Sequence, residues 1–550
     1  MTSYDPIALG IQWDRLISIA DEIINTLVRT SFSTNVRESY DLSCVVFDGR
    51  ARSIAQGTYS VPSFTGTAPA TLAHMLARFP PETLSPGDVV MTNDPWIGTG
   101  HLFDVNMMQP VFRKGGLVGY VMSISHLPDI GGVGYSATAR EIYEEGLRIP
   151  VCKFVREGQM DPFILELLRT NVRVPDETIG DFLANVSSTT VGGRMLVEFM
   201  DEYGIDDLTT LADAILELSE RAIREEIGAI PAGTYRNQIE LEGHDAPLTL
   251  ACEITVANGE VTADFTGSSP AINAGINVPL CYTRAMTCYA IKALTTPKIP
   301  NNEGSVRPVK VTAPENCILN PLPPHPTGGR HVVGHFVTPL IFGALADVLP
   351  DRVQADSGML NLINVQGRTR EGREVSSIFF ASGGFGALRE MDGAATTPSP
   401  SNMTGTPIEV WEGLTGTTIE SKALVADSGG AGQFRGGLGQ RIALRNQSPH
   451  PLTVSCLAGR TDFPPLGVLG GRPGCKREIS INGAPVHPKG RYILSEGDLI
   501  ETVEAGGGGY GDPAQRDNAA IESDLASGAI TAGGAKRDYG YRLPKQRSAP

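Results

Sequence analysis

From Asp41 to Leu127 the apolar residues come in short runs, CVVF, DVVM, QPVF and LVGYVMSI, each closed off by Gly, Asp or Pro. Runs of that length between turn formers read as buried strands, because a strand covered on both faces needs no polar alternation. The pattern predicts strands joined by loops, with Asn93–Asp104 on a long Gly/Pro-rich loop between two strands and His126 at the end of a third. Sixty-three glycines and 39 prolines extend the same turn-rich character to the rest of the chain and speak against a helical bundle. At 550 residues the chain exceeds what one ordinary core supports, so several subdomains or one large elaborated domain are expected.

Helical periodicity appears in two places. Ile11, Leu16, Ile19, Ile23, Ile24 and Leu27 recur at helical spacing near the N-terminus, predicting an amphipathic helix that docks on the core behind it. Residues 161–228 alternate helical pattern with Gly and Pro breaks, predicting three or four helices. The expected class is therefore a mixed α+β chain. Its parts are an N-terminal metal-site region (1–160), a helical subdomain (161–228) and a central α/β region (229–420), then a strand-rich, glycine-rich region (421–517) and a C-terminal tail (518–550). The glycine clusters GGAGQFRGGLG and GGGGYGD match neither a P-loop nor a dinucleotide fingerprint, and are expected to make tight turns where backbones approach closely.

Charge narrows the partners. With 45 basic and 61 acidic residues the net charge is -16, and no run of Lys and Arg could track phosphates, so nucleic acid is not an expected partner. Eight scattered cysteines without a CxxC read as reduced thiols. No window reaches the roughly 18 apolar residues of a membrane span, and the N-terminus lacks the pattern of a secretory leader; a cytoplasmic location is expected.

Three constellations could carry chemistry. His101 and Asp104, three apart, and His126 supply two imidazoles and a carboxylate, a set that suits Mn, Fe or Zn with open positions for water and substrate, although histidines on glycine-rich loops often only bond backbone. In GGRHVVGHF, His331 and His335 share one face of a predicted helix, but the glutamate of a helical zinc motif is replaced by Val332; two partly buried histidines that line a pocket are the plainer reading. Asp41, in the charged entry RESYD to a buried strand, is a candidate general base or simply a turn cap. No GxSxG elbow is present, and Cys44 has no basic neighbour to activate it.

RESYDLSCVVFD, NDPWIGTGHLFDVNMMQPVF, SHLPDIGG, EIYEEGLRIP, NNEGSVRPVKVTAP, GGAGQFRGGLGQ and EAGGGGYGDPAQRD occur in that order. Together they resemble the hydantoinase B family, which includes the C-terminal half of 5-oxoprolinase and the acetone carboxylase alpha subunits, over about residues 5 to 517. The resemblance implies a metalloprotein working with a hydantoinase A-type subunit of actin-like ATPase fold, in an assembly such as A2B2. ATP and Mg would act in that partner, which phosphorylates the oxygen of an amide, lactam, cyclic ureide or ketone enol. It also carries a metal onto His101, Asp104 and His126, with Asp129 as a group that holds a ligand or takes a proton. Two departures stand out: Gly100 precedes the first histidine and Phe103 precedes the aspartate, which implies a changed pocket shape. Roles for His325, His331 and His335 do not carry over.

The resemblance thus leads to an expected function, the metal-binding B-type subunit of an ATP-dependent cyclic amidohydrolase of hydantoinase or 5-oxoprolinase type. One alternative is the alpha-type subunit of an acetone or acetophenone carboxylase, in which a phosphorylated enol meets carbon dioxide at the same metal. Another is a scaffold that only stabilises the ATPase partner. The motifs do not identify the substrate ring.

Overall fold

A computed structural model of the chain describes residues 4–542. The short apolar runs are strands: β1 (Leu42–Asp48), β2 (Ser53–Gln56), β3 (Val89–Thr92), β4 (Asp104–Arg113), β5 (Gly116–His126), β6 (Cys152–Arg156) and β7 (Gln159–Met160). They form one seven-stranded sheet in the order β2-β1-β5-β4-β3-β6-β7. β1 shows why its run is unbroken: Leu42, Cys44 and Val46 face one hydrophobic cluster, whereas Val45 and Phe47 face another. A strand between two cores has no solvent face on which to place polar residues.

One of those cores is helical. The helix Pro6–Thr30 starts at Asp5, whose carboxylate accepts the Ala8 N–H at 2.8 Å, with Pro6 in the first turn. Its buried stripe, Leu9, Trp13, Leu16, Ile19, Ala20, Ile23, Ile24 and Leu27, packs on β1. The segment 161–228 supplies three helices, Pro162–Asn171, Pro175–Glu202 and Thr209–Gly228. Leu196, Phe199, Leu211 and Ile215 of the latter two join the same cluster as the N-terminal helix, so this segment shares its core with the N-terminal sheet. Gly192 allows the close approach: a Cβ there would lie 2.4 Å from Ile23.

Further along, β8 (Gly233–Glu242), β9 (Pro247–Ala257), β10 (Glu260–Asp264) and β11 (Val309–Thr312) make a four-stranded sheet, antiparallel except for the β10–β11 pair. The remaining strands are β12 (Leu360–Arg368), β13 (Glu374–Ser382), β14 (Thr417–Leu424), β15 (Gln440–Asn446), β16 (Leu452–Leu457), β17 (Glu478–Ile481), β18 (Ala484–Pro485), β19 (Arg491–Leu494) and β20 (Leu499–Val503). They build two sheets, β13-β12-β16-β19 and β14-β15-β20-β17-β18, which close on a shared core of Ile363, Val365, Phe379, Trp411, Leu444 and Val454. The stretch beyond residue 517 carries two helices, Asn518–Ser527 and Ala532–Tyr539, tied back by Arg435 and Arg516 to Asp524; residues 543–550 lie outside the described residues.

The glycine clusters are close approaches, as expected, but few are turns. Most of their residues run extended, and the segments 428–437, 467–474 and 506–509 lie backbone against backbone. A Cβ on Gly436 would stand 1.9 Å from Gly507 O, one on Gly471 1.9 Å from Gly509 O, and one on Gly506 1.9 Å from Ser428 O. Hydrogen bonds join them, among them Gly430 N–H to Gly507 O at 2.8 Å and Gly507 N–H to Gly437 O at 2.9 Å. No helix among the described residues is long and apolar enough to cross a membrane.

Candidate metal centre

The ends of three neighbouring strands meet the long loop. Asp104 opens β4 and is the Cα partner of His126, which closes β5; the His126 N–H reaches the Asp41 carbonyl at 3.1 Å, just before β1 begins. The loop Asn93–Phe103 folds back so that His101 joins them. Asn93 fixes its base: its amide donates to the Leu102 carbonyl at 2.8 Å and its oxygen accepts the Ile149 N–H at 2.6 Å. Both sequence departures have steric causes. Gly100 sits at φ +97°, and a Cβ there would meet Arg330 Cδ at 2.6 Å, so glycine admits the arginine. Phe103 stacks on the His126 ring, centroids 5.5 Å apart and planes inclined by 17°.

The hydrogen bonds around the three residues settle which atoms face inward. His101 Nδ1 lies 2.9 Å from the Gly328 carbonyl and His126 Nδ1 lies 2.9 Å from the Leu127 carbonyl. A carbonyl only accepts, so each Nδ1 carries the proton and each Nε2 keeps its lone pair. Asp104 Oδ2 is occupied by Thr99 Oγ1 at 2.6 Å and Arg330 Nη2 at 2.7 Å. That leaves His101 Nε2, His126 Nε2 and Asp104 Oδ1, all buried and without a hydrogen-bond partner among the described residues. These residues bring one ligand atom each to within 4.8 Å of one another. His101 Nε2 and Asp104 Oδ1 stand 2.9 Å apart, a distance that resembles a salt bridge but joins two acceptors. Lone pairs so placed in a dry site suit a cation, and the donor set fits a divalent Mn, Fe or Zn ion.

Electrostatics agree with that geometry. Burial, reinforced by the Arg330 charge, lowers the pKa of His101, and burial with the neighbouring His101 pushes His126 down to about 3, so both imidazoles are neutral. Burial alone would raise Asp104, but the charges beside it win and lower it. With His101 neutral, Arg330 is the cation that keeps this carboxylate ionised. Arg330 is itself held by the Thr99 carbonyl at 2.6 Å and lies 4.4 Å from the Tyr282 ring centre. Behind His101, Glu145 Oε1 accepts the Gly328 N–H at 2.6 Å, so one buried carboxyl holds the residue whose carbonyl orients the imidazole.

A cavity opens beside this cluster, with Asp41, His126, Tyr135, Arg330, His331 and His335 in its walls. Asp41 therefore reaches the cavity. Its pKa is raised well above the usual carboxylate range, first by burial and then by the Asp104 charge. Asp129 does not reach it. Its carboxylate accepts from Gly131 N–H at 3.1 Å and from Arg173 at 2.8 Å, so it ties the loop after His126 to the link between the first two helices of the helical segment and lies outside both the cavity wall and the three-residue cluster. His331 and His335 lie on the short helix His331–Gly334 and its C-cap, in the cavity wall but outside the three-residue cluster, whereas His325 does not line the cavity. Arg330, Thr99, Tyr135 and Glu145 carry no mark in the sequence; Arg330 precedes one of the two neighbouring histidines, but nothing local distinguishes an arginine that reaches a carboxylate 226 residues away.

A family model for hydantoinase B/oxoprolinase matches residues 5–513. The beta subunit of caprolactamase from Pseudomonas jessenii is 31% identical over 570 residues, covering 98% of this chain and 96% of that one. The B subunit of a putative D-/L-hydantoinase from a Pseudomonas strain is 28% identical, over 98% of this chain and 95% of its own. Among solved structures, the ATP-dependent caprolactamase of P. jessenii superposes with a TM-score of 0.91 at 26% identity, covering 99% of this chain and 97% of that one. A nucleotide-free acetone carboxylase superposes with a TM-score of 0.88 at 19% identity, covering 98% of this chain and 79% of the other, a likeness of fold.

Proposed function

The chain belongs to the hydantoinase B/oxoprolinase family of ATP-dependent amidohydrolase subunits, and from that premise we propose that it is the B-type subunit that completes hydrolysis of a cyclic amide activated by an A-type ATPase partner. The observation that supports this reading most directly is the trio of lone-pair atoms, His101 Nε2, Asp104 Oδ1 and His126 Nε2, turned toward one another without a partner. His101, Asp104 and His126 would hold a divalent ion there, and such an ion would supply Lewis acidity toward a water or the substrate oxygen.

The chain's own residues do the rest. The Gly328 and Leu127 carbonyls fix both imidazole tautomers. Thr99 and Arg330 hold Asp104 by one oxygen and leave the other free. Asp41, in the cavity wall, takes the proton from the attacking water when it is in its ionised form, and its raised pKa then makes it the stronger base. Phosphorylation of the amide oxygen in the partner would replace a poor electrophile with a good one: water adds to that carbon, the C–N bond breaks as the nitrogen takes a proton, and the acyl phosphate left behind loses inorganic phosphate to a second water. Apolar walls keep bulk water from the intermediate.

The test is co-expression with the A-type ATPase, followed by an ADP-release screen over hydantoins, 5-oxoproline, lactams and ketones, with and without bicarbonate. Ring opening coupled to ADP release supports the hydrolase. Ketone consumption that requires bicarbonate replaces it with the carboxylase, and full activity after complete removal of metal replaces it with a scaffold role.

A further inference from the structure

Among the polar groups in the cavity wall that this mechanism leaves idle, His331 stands out. His331 is buried, with 5% of its surface exposed, and its Nδ1 lies 3.1 Å from the Tyr135 hydroxyl. The proton on that contact can be placed. A buried hydroxyl has to direct its hydrogen at an acceptor, and Nδ1 is the one the structure pairs with it. Were Nδ1 protonated instead, both the hydroxyl hydrogen and the Nε2 lone pair would be stranded. Nδ1 therefore accepts, and Nε2 carries an N–H. That N–H has no partner among the described residues. Burial, with His335 and Arg330 nearby, holds the ring neutral.

Its surroundings favour a ligand. Leu360, Leu362, Ile378, Phe380 and Met403 give the cavity wall an apolar part, and none of its polar side chains is bonded to this donor among the described residues. Tyr135 stands between the ligand set and this donor, its ring 5.0 Å from His126 and 6.0 Å from His331, centre to centre. The donor is thus one side chain away from the proposed ligand set, in the wall of the same cavity.

We propose that His331 Nε2–H is a specificity-determining donor: it binds a second carbonyl oxygen on the substrate ring while the first is attacked beside His101, Asp104 and His126, and so selects cyclic amides with two carbonyls over those with one. The proposal rests on the hydrolase reading above. Its physical basis is that a buried donor left unpaired by the wrong substrate rejects that substrate far more strongly than a missing methylene does.

The experiment compares succinimide with 2-pyrrolidinone, five-membered rings that differ by one carbonyl, in the complex of this chain with its ATPase partner. His331→Phe keeps an aromatic ring and removes the donor. In this variant kcat/KM for succinimide is expected to fall about 100-fold while that for 2-pyrrolidinone stays within about threefold, the range for loss of one buried hydrogen bond. His331→Gln returns an N–H near the Nε2 position and is expected to cost about tenfold or less, on succinimide alone. Calorimetry of succinimide binding to the metal-loaded complex, without ATP, should show the same order of loss, and metal content should be unchanged in both variants. Equal losses on the two rings, or no loss on either, overturn the assignment of His331. If the phenylalanine variant does not fold, the glutamine variant decides by the same ratio. A wild-type complex that opens rings without this discrimination refutes only the role of His331; one that opens no cyclic amide refutes the hydrolase reading and the inference with it.

Discussion

Two glycine-rich regions of this chain use glycine to opposite ends. In the loop Asn93–Phe103, Gly100 clears space for a single cation, Arg330, and the result is a corner where three lone pairs stay unanswered. In the segments 428–437, 467–474 and 506–509, glycine removes side chains altogether, so backbones touch and bond one another. The second arrangement is locally complete and needs nothing from outside. The first is locally incomplete, a stability cost that a folded chain retains where a ligand restores the balance.

If that contrast is right, damage to the two regions should separate cleanly. The largest effect is expected at the corner: His101→Ala or His126→Ala should bring bound metal well below one per chain, whereas His331→Ala should not. Metal analysis of purified chains decides it, and equal content in all three variants would move the site elsewhere. Asp104→Ala should lower substrate turnover by at least about a hundredfold, the upper range for damage to a metal shell. Partner ATPase activity should persist and uncouple, so the ratio of ADP formed to ring opened rises. A ratio like that of the wild type at normal turnover would remove Asp104 from the mechanism. Losing Asp104 also strands Arg330, so complex formation is to be checked in the same preparation.

The glycine lattice should respond in stability instead. Gly436→Ala puts a Cβ 1.9 Å from the Gly507 carbonyl, and the backbones must part. The expected loss is about 1–3 kcal/mol of stability or more, with normal metal content in the fraction that folds. Denaturant midpoints compared with metal stoichiometry test this, and a variant as stable as wild type would mean that the lattice is not packed as described.

The sequence disclosed these regions unequally. The strands of the first sheet were legible because β1 and β5 are buried on both faces, and continuous apolar runs follow from that. The proposed ligands were legible because histidine is scarce here and the His101–Asp104 spacing spans the turn into β4. Arg330, Tyr135 and Glu145 were not, because each contributes through a contact far away in the chain: Arg330 to Asp104, Tyr135 to His331, Glu145 to Gly328. Asp129 is the converse case. Spacing from His126 placed it near the site, but Arg173, brought in by the helical segment, takes its carboxylate. The glycine clusters were recognised as close approaches, yet their extended form depends on three segments meeting, which no local pattern records.

The smallest expected effect lies behind the corner and concerns pH. Glu145 is buried, and burial pushes its pKa from 4.5 up to about 8 against the hydrogen bonds from Gly328 and Thr327. A group whose folded pKa exceeds its unfolded one binds its proton more tightly in the folded state. Its contribution to stability is therefore full below about pH 4.5 and is lost as pH rises through about 8. The glycine lattice has no such group in its backbone contacts. Lys292 and Lys489, both lowered from 10.5 to about 8 by burial, act from about pH 8 upward and with the opposite sign, since raising the pH relieves the cost of burying their charge. The wild-type curve alone thus mixes opposing slopes, and the informative quantity is the difference between wild type and Glu145→Gln. Glutamine imitates the protonated acid and still accepts the Gly328 N–H, so the two proteins should be nearly equal at about pH 4.5 and below, with the wild type already falling behind at pH 6. By pH 9 the wild type should be less stable than the variant by up to a few kcal/mol, read from denaturant midpoints at constant metal loading. A difference that stays the same from pH 6 to pH 9 would mean that this carboxyl keeps one protonation state throughout, and that the peptide behind His101 is held by geometry without a titrating partner.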